Sequence, residues 1–407
     1  MKTEEQPQAN WEKWIVPKAV FGGIVLAFAF CCWSGHRSAQ QGCYREFTRF
    51  HQRIIPESMF FPTVSQARQY VLQHIPREKI LVLVGGSSVF QGTGQSIDEL
   101  WSRKLQELLG DDYAVVNFAF RAGRVQEYGL AIAEGLAGIY PKMIFLVGPM
   151  GTHANPEPDG LLFRYFFWDV YYKGLLMSHP ARDAVFGKLP DLAGNNPAWG
   201  LRSEIRRGAW LDSELYFNDL WNRLAYTTIS TPWNIIAAGE KPFYAPRGSC
   251  PDQDGGALPL AVRYKGPDYE VQLRQIPAIA NSGFRQDDGG DWHRDDAFWK
   301  QYQHSIDTAF PPALRPRTLA VAQRCSPHLV AQLSREERRN YERGVDNVIK
   351  RLENLGFRVT DSEIDFQPDD FADMVHLSGS GCAKLAAGVA PAIRKMAMDL
   401  NYLPVKK

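Results

Sequence analysis

The run Ile80-Leu81-Val82-Leu83-Val84, closed by Gly85-Gly86, restricts what this chain can become more than any other feature. A short apolar run bounded by glycine reads as a buried strand. Residues 97–109 follow, with Leu100, Trp101, Leu105, Leu108 and Leu109 on one helical face. The pattern then repeats. Val115 to Gly123 reads as a second strand and its turn, 125–139 as a helix, and 143–147 as a third strand. It returns late in the chain, with a strand at 318–322, a helix at 333–355, a last strand at 357–360 and a closing helix at 382–401. Ser334 with Glu337 three residues on is a capping box for the 333–355 helix, and Gly356 ends it. Strands alternating with helices predict an α/β fold, a parallel sheet between helical layers. Its site belongs at the carboxyl ends of the strands.

Two short segments at those ends carry chemistry. Gly86-Ser87-Ser88-Val89-Phe90-Gln91-Gly92 follows the first strand, and Asp373-Met374-Val375-His376-Leu377-Ser378 precedes the closing helix. A serine hydroxyl is a weak nucleophile until a base takes its proton, and histidine is the usual base. A carboxylate on the far ring nitrogen fixes the tautomer and stabilises the imidazolium as it forms. Small residues around Ser87 and Ser88 permit a sharp strand-to-helix turn whose backbone N–H groups can face an oxyanion. Each segment alone is weak, since serines in Gly-rich turns mostly shape the turn and an Asp-x-x-His can be a turn former and a capping histidine. Together, at the right ends of the right elements, they predict a catalytic Ser88, Asp373 and His376.

These motifs resemble the SGNH (GDSL-type) hydrolase superfamily, whose first block reads Gly-Asp-Ser-x-x-x-Gly. Spacing to Gly92 selects Ser88 as the nucleophile, with Ser87 where the family aspartate sits; a shift by one makes Ser87 the alternative nucleophile. Asp373 and His376 match the last block without a gap. The resemblance implies a flavodoxin-like SGNH three-layer sandwich, with an oxyanion hole formed by the N–H groups of Ser88 and Gly123. The family's Gly-x-Asn-Asp block has no counterpart after the third strand, where Pro149-Met150-Gly151 stands; Asn155 is the nearest substitute donor. The resemblance also implies an esterase or O-acyltransferase that handles acyl esters of an exported polysaccharide or glycan through an acyl-serine. Proteins of that kind, acting on alginate or lipoteichoic acid, work beside a membrane-bound acyltransferase or export complex. The resemblance covers 79–151 and 315–400. The missing asparagine block keeps a second reading open, a catalytically inactive subunit of the same fold that binds polysaccharide or scaffolds a membrane complex.

Residues 14–33, bounded by Trp14 and Trp33, hold one charge, Lys18, among Ile, Val, Leu and Phe. That length and those flanking tryptophans predict an uncleaved transmembrane anchor. Phe30-Cys31-Cys32-Trp33 supplies no small-residue cleavage site. Lysines 2, 13 and 18 on one side balance Arg37, Arg45 and Arg49 on the other, so charge does not orient the span. A short tail before a single span places the large domain outside the cytoplasm, on the periplasmic side of the inner or cell membrane. The net charge of +1, from 46 basic and 45 acidic residues, implies no nucleic-acid partner. Cys31 and Cys32 fall in the span and four more cysteines outside it, too few for a disulfide scaffold, although a Cys250–Cys325 bridge stays open. No cysteine or histidine spacing indicates a metal or cofactor.

The chain divides accordingly into a tail and anchor (1–33), a juxtamembrane linker (34–78), a first core segment (79–151), an aromatic-rich insertion or cap (152–315) and a second core segment (316–407). The insertion's aromatic residues suit either a carbohydrate groove or the cap's own core. Its acidic loop Asp287-Asp288-Gly289-Gly290-Asp291 lacks the spaced ligands of a calcium loop and reads as solvated.

Overall fold

A computed structural model describes residues 17–38, 68, 71–86, 101–119, 128–148, 264–322, 324–361 and 364–403. In chain order these form α1 (Pro17–Ser38), β1 (Ile80–Gly86), α2 (Trp101–Leu109), β2 (Tyr113–Asn117), α3 (Tyr128–Ala137) and β3 (Met143–Gly148). There follow α4 (Pro267–Ala280), the strands β4 (Phe284–Gln286) and β5 (Trp292–Arg294), and α5 (Asp296–Ala309). The chain closes with β6 (Thr318–Ala322), α6 (Pro327–Val330), α7 (Arg335–Asn354), β7 (Arg358–Asp361) and α8 (Gly379–Asp399).

Five strands make one parallel sheet in the order β2-β1-β3-β6-β7. Counted within the sheet, this is the doubly wound order 2-1-3-4-5. The predicted α/β class is therefore present, with a parallel sheet and helices on both faces. Register sets the strand ends together: Val84 lies opposite Asn117, and Gly86 opposite Gly148.

Alternation along β1 assigns its two faces. Ile80, Val82 and Val84 turn to a core shared with Trp101, Leu105 and Leu109 of α2 and with Leu385, Val389, Ile393 and Met396 of α8. The α2 face is narrower than predicted, because Leu108 stays exposed. On the other face α3 comes so close that a Cβ added to Gly129 would stand 2.5 Å from the Gly85 Cα. Phe145 of β3 meets Phe310 at 6.2 Å between ring centres, and Phe310 meets Phe357 edge-on at 5.0 Å.

Residues 264–315, the final part of the predicted insertion, build a helix–hairpin–helix unit beside α7. Asn340 donates to Asn281 Oδ1 at 3.0 Å and Arg351 to Gln303 Oε1 at 2.7 Å. The acidic loop is the turn of the β4–β5 hairpin. Asp287 Oδ1 accepts the N–H groups of Gly289 and Asp291, and Oδ2 pairs with His293 at 2.7 Å. That carboxylate shapes its own turn, as Asp does in Asx turns.

Residues 17–33 of the predicted anchor and the first five of the predicted linker are helical as α1, with Phe21, Ile24, Leu26, Phe28, Phe30 and Trp33 exposed. Among the described residues no helix is long and apolar enough to cross a membrane. Cys325 is a free, buried thiol; Cys250 lies outside the described residues.

Candidate active site

The Asp-x-x-His segment is a narrow loop that returns on itself. Phe371 and Leu377 form an isolated antiparallel bridge, and Ala372 N–H donates to the His376 carbonyl at 2.7 Å. At the tip, Asp373 folds the chain with its own side chain: Oδ1 accepts the N–H of Val375 at 2.9 Å and of His376 at 2.8 Å. The other oxygen, Oδ2, lies 2.7 Å from His376 Nδ1. One carboxylate thus makes the turn and grips the ring, which is why the two residues stand three apart. Both side chains are partly open to solvent, at 30 % for His376 and 37 % for Asp373.

The protonation pattern follows from these contacts. Burial pushes the Asp373 carboxyl up, but the His376 ring, its charge and the two backbone N–H groups together hold it below its ordinary value. An ionised carboxylate only accepts hydrogen bonds, so Nδ1 carries the proton in this pair. In the neutral imidazole, Nε2 then holds the lone pair. A carboxylate-oriented histidine with that tautomer can serve as a general base.

The loop is fixed at the C-terminal edge of the sheet. Ser326, just past the end of β6, donates its N–H to the Met374 carbonyl at 2.8 Å. The Tyr264 hydroxyl bonds Ser326 Oγ at 3.0 Å and the Pro368 carbonyl at 3.1 Å, joining the exit of β6 to the approach of the loop. Tyr264 stacks on His328, whose Nε2 pairs with the Tyr269 hydroxyl at 3.0 Å. Cys325 lies near Asp373, but burial pushes its thiol up to about 12, so it is no ready nucleophile.

At the other site strand, β1 ends in Gly86 with φ +103°, and a Cβ there would fall on the Gly148 carbonyl oxygen. Only glycine fits this exit. Ser87 and Ser88 follow it directly and lie outside the described residues, as do Gly123 and Asn155. The second-strand exit is described as far as Ala119, whose N–H donates to the buried Asn117 Oδ1 at 3.0 Å and so turns the chain after β2.

Of the predicted site residues the structure therefore brings together Asp373 and His376. It adds residues that spacing did not reveal: Asp370, Ser380 and Lys384 beneath the loop, and Tyr264 and Ser326 beside it. Polar residues near Asp373 in sequence were the only available signal, and they do not say which of them bond. Compared with protein-family models, with curated proteins and with solved structures, the chain matches none.

Proposed function

We propose that this chain is a serine esterase or O-acyltransferase of SGNH type that acts on acyl esters of an exported polysaccharide or glycan. The observation that supports it is the Asp373–His376 pair, 2.7 Å apart at the same sheet edge where β1 delivers the chain to Ser87 and Ser88. In this reading His376 Nε2 takes the proton of Ser88 Oγ, and Oγ bonds to the ester carbonyl carbon. The N–H groups of Ser88 and Gly123 hold the oxyanion, with Asn155 as a further donor. His376 returns the proton to the departing alcohol, leaving an acyl-serine. Water or a glycan hydroxyl, deprotonated by His376, then takes the acyl group and restores Ser88. A membrane-bound acyltransferase or export complex would supply the acyl donor.

The reading anchors the chain in the cell membrane through residues 14–33, with the α/β domain on the periplasmic side, although α1 by itself falls short of a membrane span. The exposed apolar side chains of α1 support it, because such a surface needs cover. Recovery of the full chain in the alkaline-carbonate pellet is expected; recovery in the supernatant removes the anchor from the proposal.

Fluorophosphonate labelling of the detergent-solubilised full chain tests the chemistry. Labelling is expected in the wild type and in Ser87→Ala, and is expected to vanish in Ser88→Ala and His376→Ala. Loss in Ser87→Ala with retention in Ser88→Ala shifts the nucleophile by one residue. An unreactive wild type overturns the hydrolase reading in favour of the inactive binding or scaffolding subunit, which the Pro149-Met150-Gly151 departure favours. Fast hydrolysis of small acetyl esters marks an esterase, and turnover that needs a glycan acceptor marks a transferase.

A further inference from the structure

Below the Asp373–His376 tip, one buried carboxylate gathers the whole loop. Asp370 is 2 % exposed. Its Oδ2 accepts from Lys384 Nζ at 2.6 Å and from Gln367 N–H at 2.7 Å, and its Oδ1 accepts from the Ser380 hydroxyl at 2.7 Å. Its backbone carbonyl accepts the N–H of Ser378 at 2.9 Å. A single residue therefore bonds the approach to the loop, its return strand and the first turns of α8. Gly381 packs so tightly on the Asp370 carbonyl that any Cβ would collide with it. Lys384 also donates to the Asp365 carbonyl at 3.0 Å, tying the preceding segment to the same helix.

An ionised carboxylate is costly to bury unless it is paired and hydrogen-bonded. Apolar packing in its place often matches a buried ion pair in stability, so such a pair is better at specifying geometry than at adding stability. Here the geometry specified is that of the loop. Between Asp370 and His376 the chain has little freedom, because Phe371–Leu377 and Ala372–His376 are laddered and Asp373 closes the tip. The charged groups on the elements around it are Lys384 on α8, Asp365 and Asp369 on the approach, and Asp373 at the tip.

We propose that Asp370, held by Lys384, is a positioning residue for His376: it sets the height and tilt of the loop so that the imidazole meets the reacting hydroxyl. This inference rests on the hydrolase reading for its purpose but not for its test. The full chain in detergent is compared as wild type, Asp370→Asn and Lys384→Met. Three quantities are read: the downfield proton resonance of His376 Nδ1–H bonded to Asp373, the fluorophosphonate labelling rate, and the melting temperature. Both variants are expected to shift or lose the resonance and to label more slowly by on the order of 10²-fold, the effect of a catalytic group misplaced by about 1 Å. The double variant is expected to be no slower than the slower single one, since both remove the same tie. Variants that melt lower yet keep the resonance and the wild-type labelling rate overturn the proposal and leave Asp370 a purely structural residue. Should Asp370→Asn not fold, Lys384→Met decides, because the lysine side chain is 39 % exposed against 3 % for that of Asp370. If the wild type does not label, the hydrolase reading fails, and the resonance alone still decides whether Asp370 positions His376.

Discussion

Asp373 spends each carboxylate oxygen on a different task, one on the turn and one on the ring. Asp373→Asn keeps the acceptor that makes the turn if the amide oxygen faces Val375, but then offers an N–H₂ group to Nδ1. The ring must answer with a lone pair at Nδ1, which moves its proton to Nε2 and removes the base. Labelling by fluorophosphonate is expected to fall by on the order of 10⁴-fold, while the near-UV spectrum stays that of the wild type. Gly86 supports a separate prediction. Its φ of +103° and the carbonyl oxygen of Gly148 leave no room for a side chain. Gly86→Ala is expected to cost about 3 kcal/mol, read from the urea midpoint. At this scale Asp373 and His376 were legible because a turn residue and its partner three positions on form a local unit. Asp370 and Lys384 were not, because they stand fourteen positions apart across loop and helix and nothing local makes them meet.

The elements obey local rules closely where those rules concern ends. Ser334 Oγ accepts the Glu337 N–H at 3.2 Å, and Glu337 returns a bond to Ser334 N–H at 2.9 Å. Gly356 closes the same helix in a left-handed conformation, φ +87°. Ser334→Ala is expected to lower stability by about 1 kcal/mol in chemical denaturation, with no effect on labelling. The start of α8 was read three residues late. The run Gly379-Ser380-Gly381 has low helix propensity, yet it is helical because Ser378 caps it and because only small residues fit against the Asp370 carbonyl. Leu108 was assigned to the buried face of α2 by period, but Trp101, Leu105 and Leu109 complete the contact with α8 and leave it outside.

For the whole molecule, acid is the condition that should separate site from scaffold. Burial pushes the Asp370 carboxyl up, but Lys384, Gln367 and Ser380 outweigh it and hold the group below its ordinary value. Asp373 is likewise held low, its hydrogen bonds overcoming its burial. A carboxyl whose folded value is depressed adds stability that is fully present above its unfolded value, about 3.9. That stability is lost as pH falls through the folded value, because the unfolded chain then binds more protons. The melting temperature is therefore expected to fall below about pH 4, and to fall less steeply in Asp370→Asn, which has one fewer depressed carboxyl. Equal slopes in the two proteins would assign the acid sensitivity elsewhere.

The alternation of apolar strands and amphipathic helices, the caps of α7 and the hydrogen-bonded Asp-x-x-His turn were settled by the sequence, because each depends on side chains within a few positions of one another. Strand order was not. Nothing in Thr318–Ala322 says that it lies beside Met143–Gly148 rather than at an edge, since both faces of either strand are buried and, Thr318 apart, apolar. Nor does spacing disclose that residues 264–315 pack on α7, or that Tyr264 joins the exit of β6 to Pro368. Those pairings close long stretches of chain, and the entropy of such closure is recovered only by the assembled core. The tertiary structure alone therefore decides which polar residues stand beneath the Asp373–His376 pair.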